Sequence, residues 1–266
     1  MVRASRRVRR GYLPALIATN LRAALALRGA FWLQAAFMLL NNVFFFVTWW
    51  IFFERFTEVR GWTLRDMAAL YGVVASAFGL TVILLGGIRT LAERIASGEL
   101  DAFLTLPADP LVHIAASRSV ASGWGDLASA PIFLGLIGFV APGDTPLVLV
   151  GIACATIVFA STGVILHSAA FWAGRIDGVA RQIWELTMLF SLYPRTIFGG
   201  GLQILLFTLI PAGFVGYLPV ELIRAPSVAT LMGVIGVACG YAVLAWAVFR
   251  LGLRRYASGS RFVVHA

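Results

Sequence analysis

The sequence predicts an all-α integral membrane protein that crosses the bilayer six times. Three observations carry this. Hydrophobic types make up 60% of the 266 residues and charged types only 12%, against roughly a quarter charged in a soluble globular domain. The apolar residues gather in runs of roughly 20, the length that spans about 30 Å of hydrocarbon as a helix. The 21 basic residues are all arginine and cluster at the ends of these runs and in the connections between them. A net charge of +9 would by itself admit nucleic acid as a partner. This placement argues instead for membrane orientation and against nucleic-acid binding.

The elements follow in order. The basic start is like the n-region of a secretory signal, but the first long apolar run opens only after Gly29 and outlasts a signal core, so it is expected to remain as an anchor. Before it, Leu13, Leu16, Ile17, Leu21 and Leu25 recur at helical period beside Asn20 and Arg22. This stripe predicts a helix lying in the inner interface, with a plain extension of the first span as the alternative.

The first span is expected over residues 29–53. Its Gln34, Asn41 and Asn42 should face protein, because a lone amide in lipid is costly. Phe44, Phe45, Phe46, Trp49 and Trp50 crowd its second half, as an interfacial belt or as a wall against cargo. Asn41, Asn42, Phe45 and Trp49 are therefore the candidate pathway or interface residues. The second span, 67–88, carries no charge.

The longest internal connection follows, Arg89 to Arg118. Leu91 and Ile95 share one helical face, with Glu93 and Arg94 pointing elsewhere, and Gly98 can end the helix. Glu99 and Asp101 then expose carboxylates, and Pro107 and Pro110 force an extended bend. Such a short amphipathic helix, held between two spans, can dock another protein or be an ordinary solvated loop.

The third span is expected over 119–140, with Asp126 near its beginning, and the fourth over 146–172, joined by a tight turn at 141–144. The stretch 173–198 holds Trp184, Glu185, Tyr193, Pro194 and Arg195 and is read as too polar to cross, with Pro194 kinking or ending its helix. The fifth span is then placed at 199–217 and the sixth at 227–249. The predicted organisation is a basic amino terminus with an interfacial helix (1–28), a six-span domain (29–250) and a cytoplasmic tail (251–266).

With both ends cytoplasmic, 17 of the 21 arginines lie inside. Outside are Arg55, Arg60, Arg65 and Arg224, the first three matched by Glu54, Glu58 and Asp66. The bias predicts an even number of crossings in a plasma membrane. Gly79, Gly86, Gly87, Gly233, Gly236 and Gly240 would let helices approach closely.

Chemistry-bearing motifs are missing. There is no Walker lysine, and no GxSxG, HExxH or HxxxH arrangement. His113, His167 and His265 are far apart, and only Asp126, Glu185 and Glu221 approach the spans as acids. Cys154 and Cys239 sit in apolar runs without CxxC spacing and read as buried thiols. No catalytic, cofactor or metal site is expected in this chain.

The runs GWTLRDMAALYGVVASAFGL at 61–80 and GELDAFLTLPADPL at 98–111 resemble the six-span permeases of the ABC-2 type transporter family. LYPRTIF at 192–198, with Tyr217 and Pro219 further on, resembles a third family motif. The resemblance covers nearly the whole chain. It implies a connecting helix at 12–28 and a cytoplasmic coupling helix within 89–106. The candidate ATPase-coupling residues are then Leu91, Glu93, Arg94, Ile95, Glu99 and Asp101.

It further implies the permease subunit of an ATP-driven exporter in a bacterial plasma membrane. Two copies of a cytoplasmic ABC ATPase would bind ATP and magnesium, and a second permease chain, heteromeric in preference to homodimeric, would complete the pathway amid membrane lipid. The rival readings are an ATP-independent secondary transporter and a noncatalytic membrane scaffold. Flux under an ion gradient without ATP would favour the first, and no flux at all the second.

Overall fold

In the computed structural model, residues 2–106, 108–136, 143–208 and 210–256 are described, with backbone alone for 2–11, 136, 202 and 203. The turn expected at 141–144, Pro107, and the tail beyond 256 with His265 lie wholly or partly outside them. The described residues are helical throughout, with one isolated bridge, Val59 to Trp62, and no strand. Apolar runs cannot leave backbone donors and acceptors unpaired in lipid, and a helix pairs them within itself.

The helices are α1 (Val2–Ala26), α2 (Arg28–Arg55), α3 (Leu64–Leu84), α4 (Leu91–Ser97), α5 (Leu100–Leu104), α6 (Pro110–Ala115) and α7 (Ser122–Leu136). They continue with α8 (Thr145–Ser168), α9 (Ala170–Ala173), α10 (Asp177–Ser191), α11 (Gly200–Thr208), α12 (Leu218–Arg224) and α13 (Val228–Arg255). Four of them, α2, α3, α8 with its continuation through Ala173, and α13, are long and apolar enough to cross a membrane. The chain is a multi-pass membrane protein.

Helix α3 is the centre. Nearly all its residues from Asp66 to Ile83 are buried, and it packs on α7, α8 and α2. Its start is fixed by a capping box: the Thr63 side chain accepts from the Asp66 N–H, and Asp66 accepts from the Thr63 N–H at 2.8 Å. Close approach to α7 is made possible by glycine. A Cβ on Gly79 would come 2.7 Å from the Gly123 carbonyl oxygen, and one on Gly123 would come 2.9 Å from that of Gly79. Gly233, Gly236 and Gly240 have nothing within 4 Å, so these three do not serve intrachain packing.

α1 and α2 are separated by the single non-helical residue Leu27. The amino-terminal segment is thus a helix of its own rather than an extension of the first span. It lies against the 89–118 connection, where Asn20 donates to the Ala116 carbonyl at 2.7 Å.

The region after α9 differs from the sequence expectation. α10 meets the connection near its own middle, where Arg89 pairs with Glu185 at 2.9 Å. Beyond its end, Arg60 in the loop between α2 and α3 donates to the Thr196 carbonyl at 2.6 Å. The stretch read as too polar to cross therefore touches the connection through Glu185 and the loop between α2 and α3 through Thr196, and Arg195 lies beside that loop. Its polar residues are accommodated by protein: Trp184 donates to the Phe159 carbonyl at 2.9 Å, and Ser191 to that of Thr187 at 2.7 Å.

The expected fifth span at 199–217 is not one continuous helix. α11 is only nine residues long, and a π turn, Gly213–Tyr217, leads into α12. Phe207 packs edge-on to Phe214 at 5.3 Å, so the segment folds on itself. Its exit returns to the far end of the bundle, where α3 starts, because Arg224 pairs with Asp66 at 3.0 Å and donates to the Gly61 carbonyl at 2.8 Å.

Candidate functional site

The connection between α3 and α7 is built tightly onto the bundle. A 3-10 turn, Gly86–Thr90, leaves α3, and its Gly87 is pressed against the Ile114 carbonyl, where a Cβ would overlap. α4 ends at Gly98 in the left-handed region (φ 82°), the backbone state glycine adopts most easily. After α5, Asp109 caps α6 by accepting from the Leu111 N–H at 3.0 Å, with Pro110 in the first turn.

Each candidate coupling residue has a distinct place. Leu91 and Ile95 are buried in the chain's own core, where α4 meets α8, α9 and α10. Their burial holds the helix in place; each such side chain contributes roughly 1.5–3 kcal/mol. Arg94 is also turned toward the chain, donating to Ser117 Oγ at 3.0 Å with its guanidinium 4.7 Å from the Phe103 ring centre. Asp101 is half-buried near Tyr256, whose hydroxyl is pushed up to about 12 by burial and by the Asp101 charge. Glu93 and Glu99 are exposed, as are the apolar Leu104 and Leu106.

Three further contacts brace the connection. Arg250 of α13 pairs with Asp109 at 2.7 Å, and Arg89 reaches α10 through Glu185. On α6, the Tyr12 hydroxyl lies 3.1 Å from both ring nitrogens of His113. Burial, with the Arg94 charge adding to it, holds His113 below the usual histidine pKa and so keeps its ring neutral. A displacement of α4–α6 must therefore be felt by α1, α10 and α13.

The pathway candidates divide. Asn42 is buried and hydrogen-bonded to α7, a structural clasp, whereas Asn41 and Phe45 are exposed on the outer face of α2. Trp49 is half-buried and donates to the Tyr71 hydroxyl at 3.0 Å. It lines a crevice of about 420 Å³ at the far end together with Phe45, Phe52, Trp62, Tyr71 and Tyr193. Next to it, Arg60, Arg195, Arg224 and Glu221 line a second cavity of about 410 Å³, together with Trp62, Phe207 and Tyr217. Sequence reasoning missed this second cavity because it set Arg60 and Arg195 on opposite sides of the membrane, whereas the fold brings both to one cavity. The signal was present in LYPRTIF, whose arginine follows a helix-ending proline.

A family model described as "ABC-2 family transporter protein" matches residues 39–260. The chain belongs to the ABC-2 transporter family. No curated protein and no solved structure matches it. Membership makes it the permease type of subunit in an ABC transporter, a class that is generally noncatalytic and associates with an ABC ATPase.

Proposed function

We propose that this ABC-2 permease serves an ATP-driven exporter of a bacterial plasma membrane. It would cross six times, through α2, α3, α7, α8, α10 and α13, with both ends in the cytoplasm and α1 in the inner interface. Exchanging the fifth crossing for α10 keeps the even count, and the arginine bias still supports this polarity. Two ATPase chains bind ATP and magnesium, and two permease chains form the pathway, a heteromeric pair in preference to a homodimer.

The observation that carries the coupling role is the brace of α4–α6 onto α1, α10 and α13 with Glu93, Glu99, Leu104 and Leu106 left exposed. If the ATPase pair grips this surface differently in its open and closed states, that difference in binding energy biases the permease between conformations. Leu91, Ile95 and Arg94 transmit from within, while the two glutamates and two leucines make the contact.

The test is co-expression with the ATPase encoded beside this chain. Glu93→Arg combined with Glu99→Arg is expected to lower ATPase co-purification and to abolish the permease's effect on ATP hydrolysis, with the permease still folded. Unchanged co-purification and ATPase rate would remove the coupling surface. Native mass spectrometry of the same complex distinguishes a permease pair of two kinds from two copies of this chain.

A further inference from the structure

The two far-end cavities are neighbours. Trp62 and Thr196 line both, and the hydrogen bond from Arg60 to the Thr196 carbonyl lies at the seam. One cavity is cationic, with three arginines set among apolar side chains. The other is a cleft walled by aromatic rings.

In the cationic cavity the three arginines are not equivalent. Arg224 is committed to the fold: it pairs with Asp66, donates to the Gly61 carbonyl and lies 5.2 Å from the Trp62 ring centre. Arg60 gives one nitrogen to the Thr196 carbonyl and is otherwise exposed. Among the described residues, the Arg195 guanidinium takes part in no ion pair or hydrogen bond. With Arg224 balanced by Asp66, Arg60 and Arg195 face the one remaining carboxylate of the lining, Glu221, which leaves one net positive charge.

The backbone adds an independent sign. Arg60 has φ of 50° and Gly61 follows at 83°, a tight turn closed by the Val59–Trp62 pair. Such turns favour asparagine or aspartate before glycine, and an arginine there bears left-handed strain. The strain is tolerated where the turn sets the Arg60 side chain over the cavity.

We infer that the joined crevice binds an amphiphile with a net monoanionic phosphate or carboxylate head. The head sits between Arg60 and Arg195, and the apolar tail lies along Phe45, Trp49 and Phe52. Guanidinium groups recognise such oxyanions with paired N–H donors, and aromatic walls suit a flexible or flat apolar body. Phe45 and Phe52 are exposed, so the tail cleft is open along the flank of α2. The ligand can be a membrane lipid or a soluble amphiphile. Binding at equilibrium needs no ATP, so the site stands or falls apart from the exporter reading.

The experiment uses the full chain purified in neutral detergent with equal phosphatidylglycerol and phosphatidylcholine, and native mass spectrometry to count retained lipid. Wild type is expected to prefer phosphatidylglycerol, and Arg60→Gln with Arg195→Gln to reduce that preference by about tenfold, since hydrogen bonds to charged groups are strong. Arg195→Gln alone, at an exposed side chain with no ion pair or hydrogen bond among the described residues, should lose part of it. Arg55→Gln with Arg65→Gln removes the same charge at the same end outside the cavity and should keep the preference. Phe52→Ala should lower total retention without changing the preference. An equal loss in the Arg55/Arg65 variant, or no loss in Arg60/Arg195, would overturn the site. Displacement of phosphatidylglycerol by dodecyl phosphate identifies a site open to single-chain amphiphiles, and failure to displace it identifies one specific for two-chain lipid.

Discussion

Asn42 of α2 donates a 2.9 Å hydrogen bond to Oδ1 of Asp126 on α7, while Oδ2 of the same fully buried carboxyl has no hydrogen-bond partner among the described residues. Asn42 also reaches Ser129 Oγ at 3.2 Å. With the Trp49–Tyr71 hydrogen bond, these polar contacts fasten a largely exposed helix to the bundle. Asn42→Leu would leave the carboxyl without its donor, at a cost of about 1–3 kcal/mol. Asp126→Asn keeps an acceptor for Asn42 and should lose less. Thermal unfolding in one detergent checks the order, and an Asn42→Leu protein as stable as wild type would refute the clasp.

Gly87 and Gly233 should behave oppositely on replacement by alanine. At Gly87 the new Cβ would overlap the Ile114 carbonyl, so the start of the connection must part from α6, and overpacking of this kind costs about 1–3 kcal/mol. At Gly233 there is open space, and alanine removes the helix penalty of glycine, worth about 0.5–1 kcal/mol. Gly87→Ala should lower the melting temperature and raise proteolysis between Arg89 and Arg118. Equal melting of both variants would show that the turn yields without cost.

What was legible in the sequence follows from what each signal measures. Hydropathy found α2, α3, α8 and α13 to within a few residues because their apolar runs are long and unbroken. The stretch around α10 reads as polar although Trp184, Glu185, Thr187 and Ser191 all have partners, because hydropathy counts a polar group without knowing its partner. The span placed at 199–217 joins α11 to the π turn at Gly213–Tyr217, because an apolar run carries no sign of where its helix is broken. Leu91 and Ile95 were correctly paired on one face, but periodicity does not say whether that face meets the chain itself or another. The meeting of Arg60 with Arg195, so distant in sequence, is a tertiary fact with no local signature.

The proposal that α10 is the fifth crossing makes a labelling prediction. In a variant with Cys154 and Cys239 replaced by alanine, single cysteines at Arg60 and Arg195 should react with an impermeant maleimide from the same side of the membrane. A cysteine at Arg181 should react only from the other side. Both Arg60 and Arg195 are exposed, so access is not limited by packing. Labelling of Arg195→Cys together with Arg181→Cys from one side would restore 199–217 as the crossing and refute α10.

His113 predicts how acid acts on the arginine-rich end. Its folded pKa lies below the ordinary value of 6.5 because burial, and then the Arg94 charge, disfavour the imidazolium. As pH falls through about 6.5 the unfolded or undocked chain takes up a proton before the folded one does, so stability is lost progressively on acidification and is full above that pH. The first contact at risk is the one from the Tyr12 hydroxyl, with the Phe103 ring 5.2 Å away on another side of the imidazole. Hydrogen exchange of α1 is therefore expected to accelerate between pH 7 and pH 5 in wild type, relative to the intrinsic rate. His113→Gln, which keeps a hydrogen-bonding partner for Tyr12 but cannot titrate, should flatten that dependence while leaving protection at pH 7.5 close to wild type. The comparison between the two proteins isolates His113 from the other groups that titrate in this range. An identical acid response in the glutamine variant would assign the loosening of α1 to those other groups and remove His113 from the account.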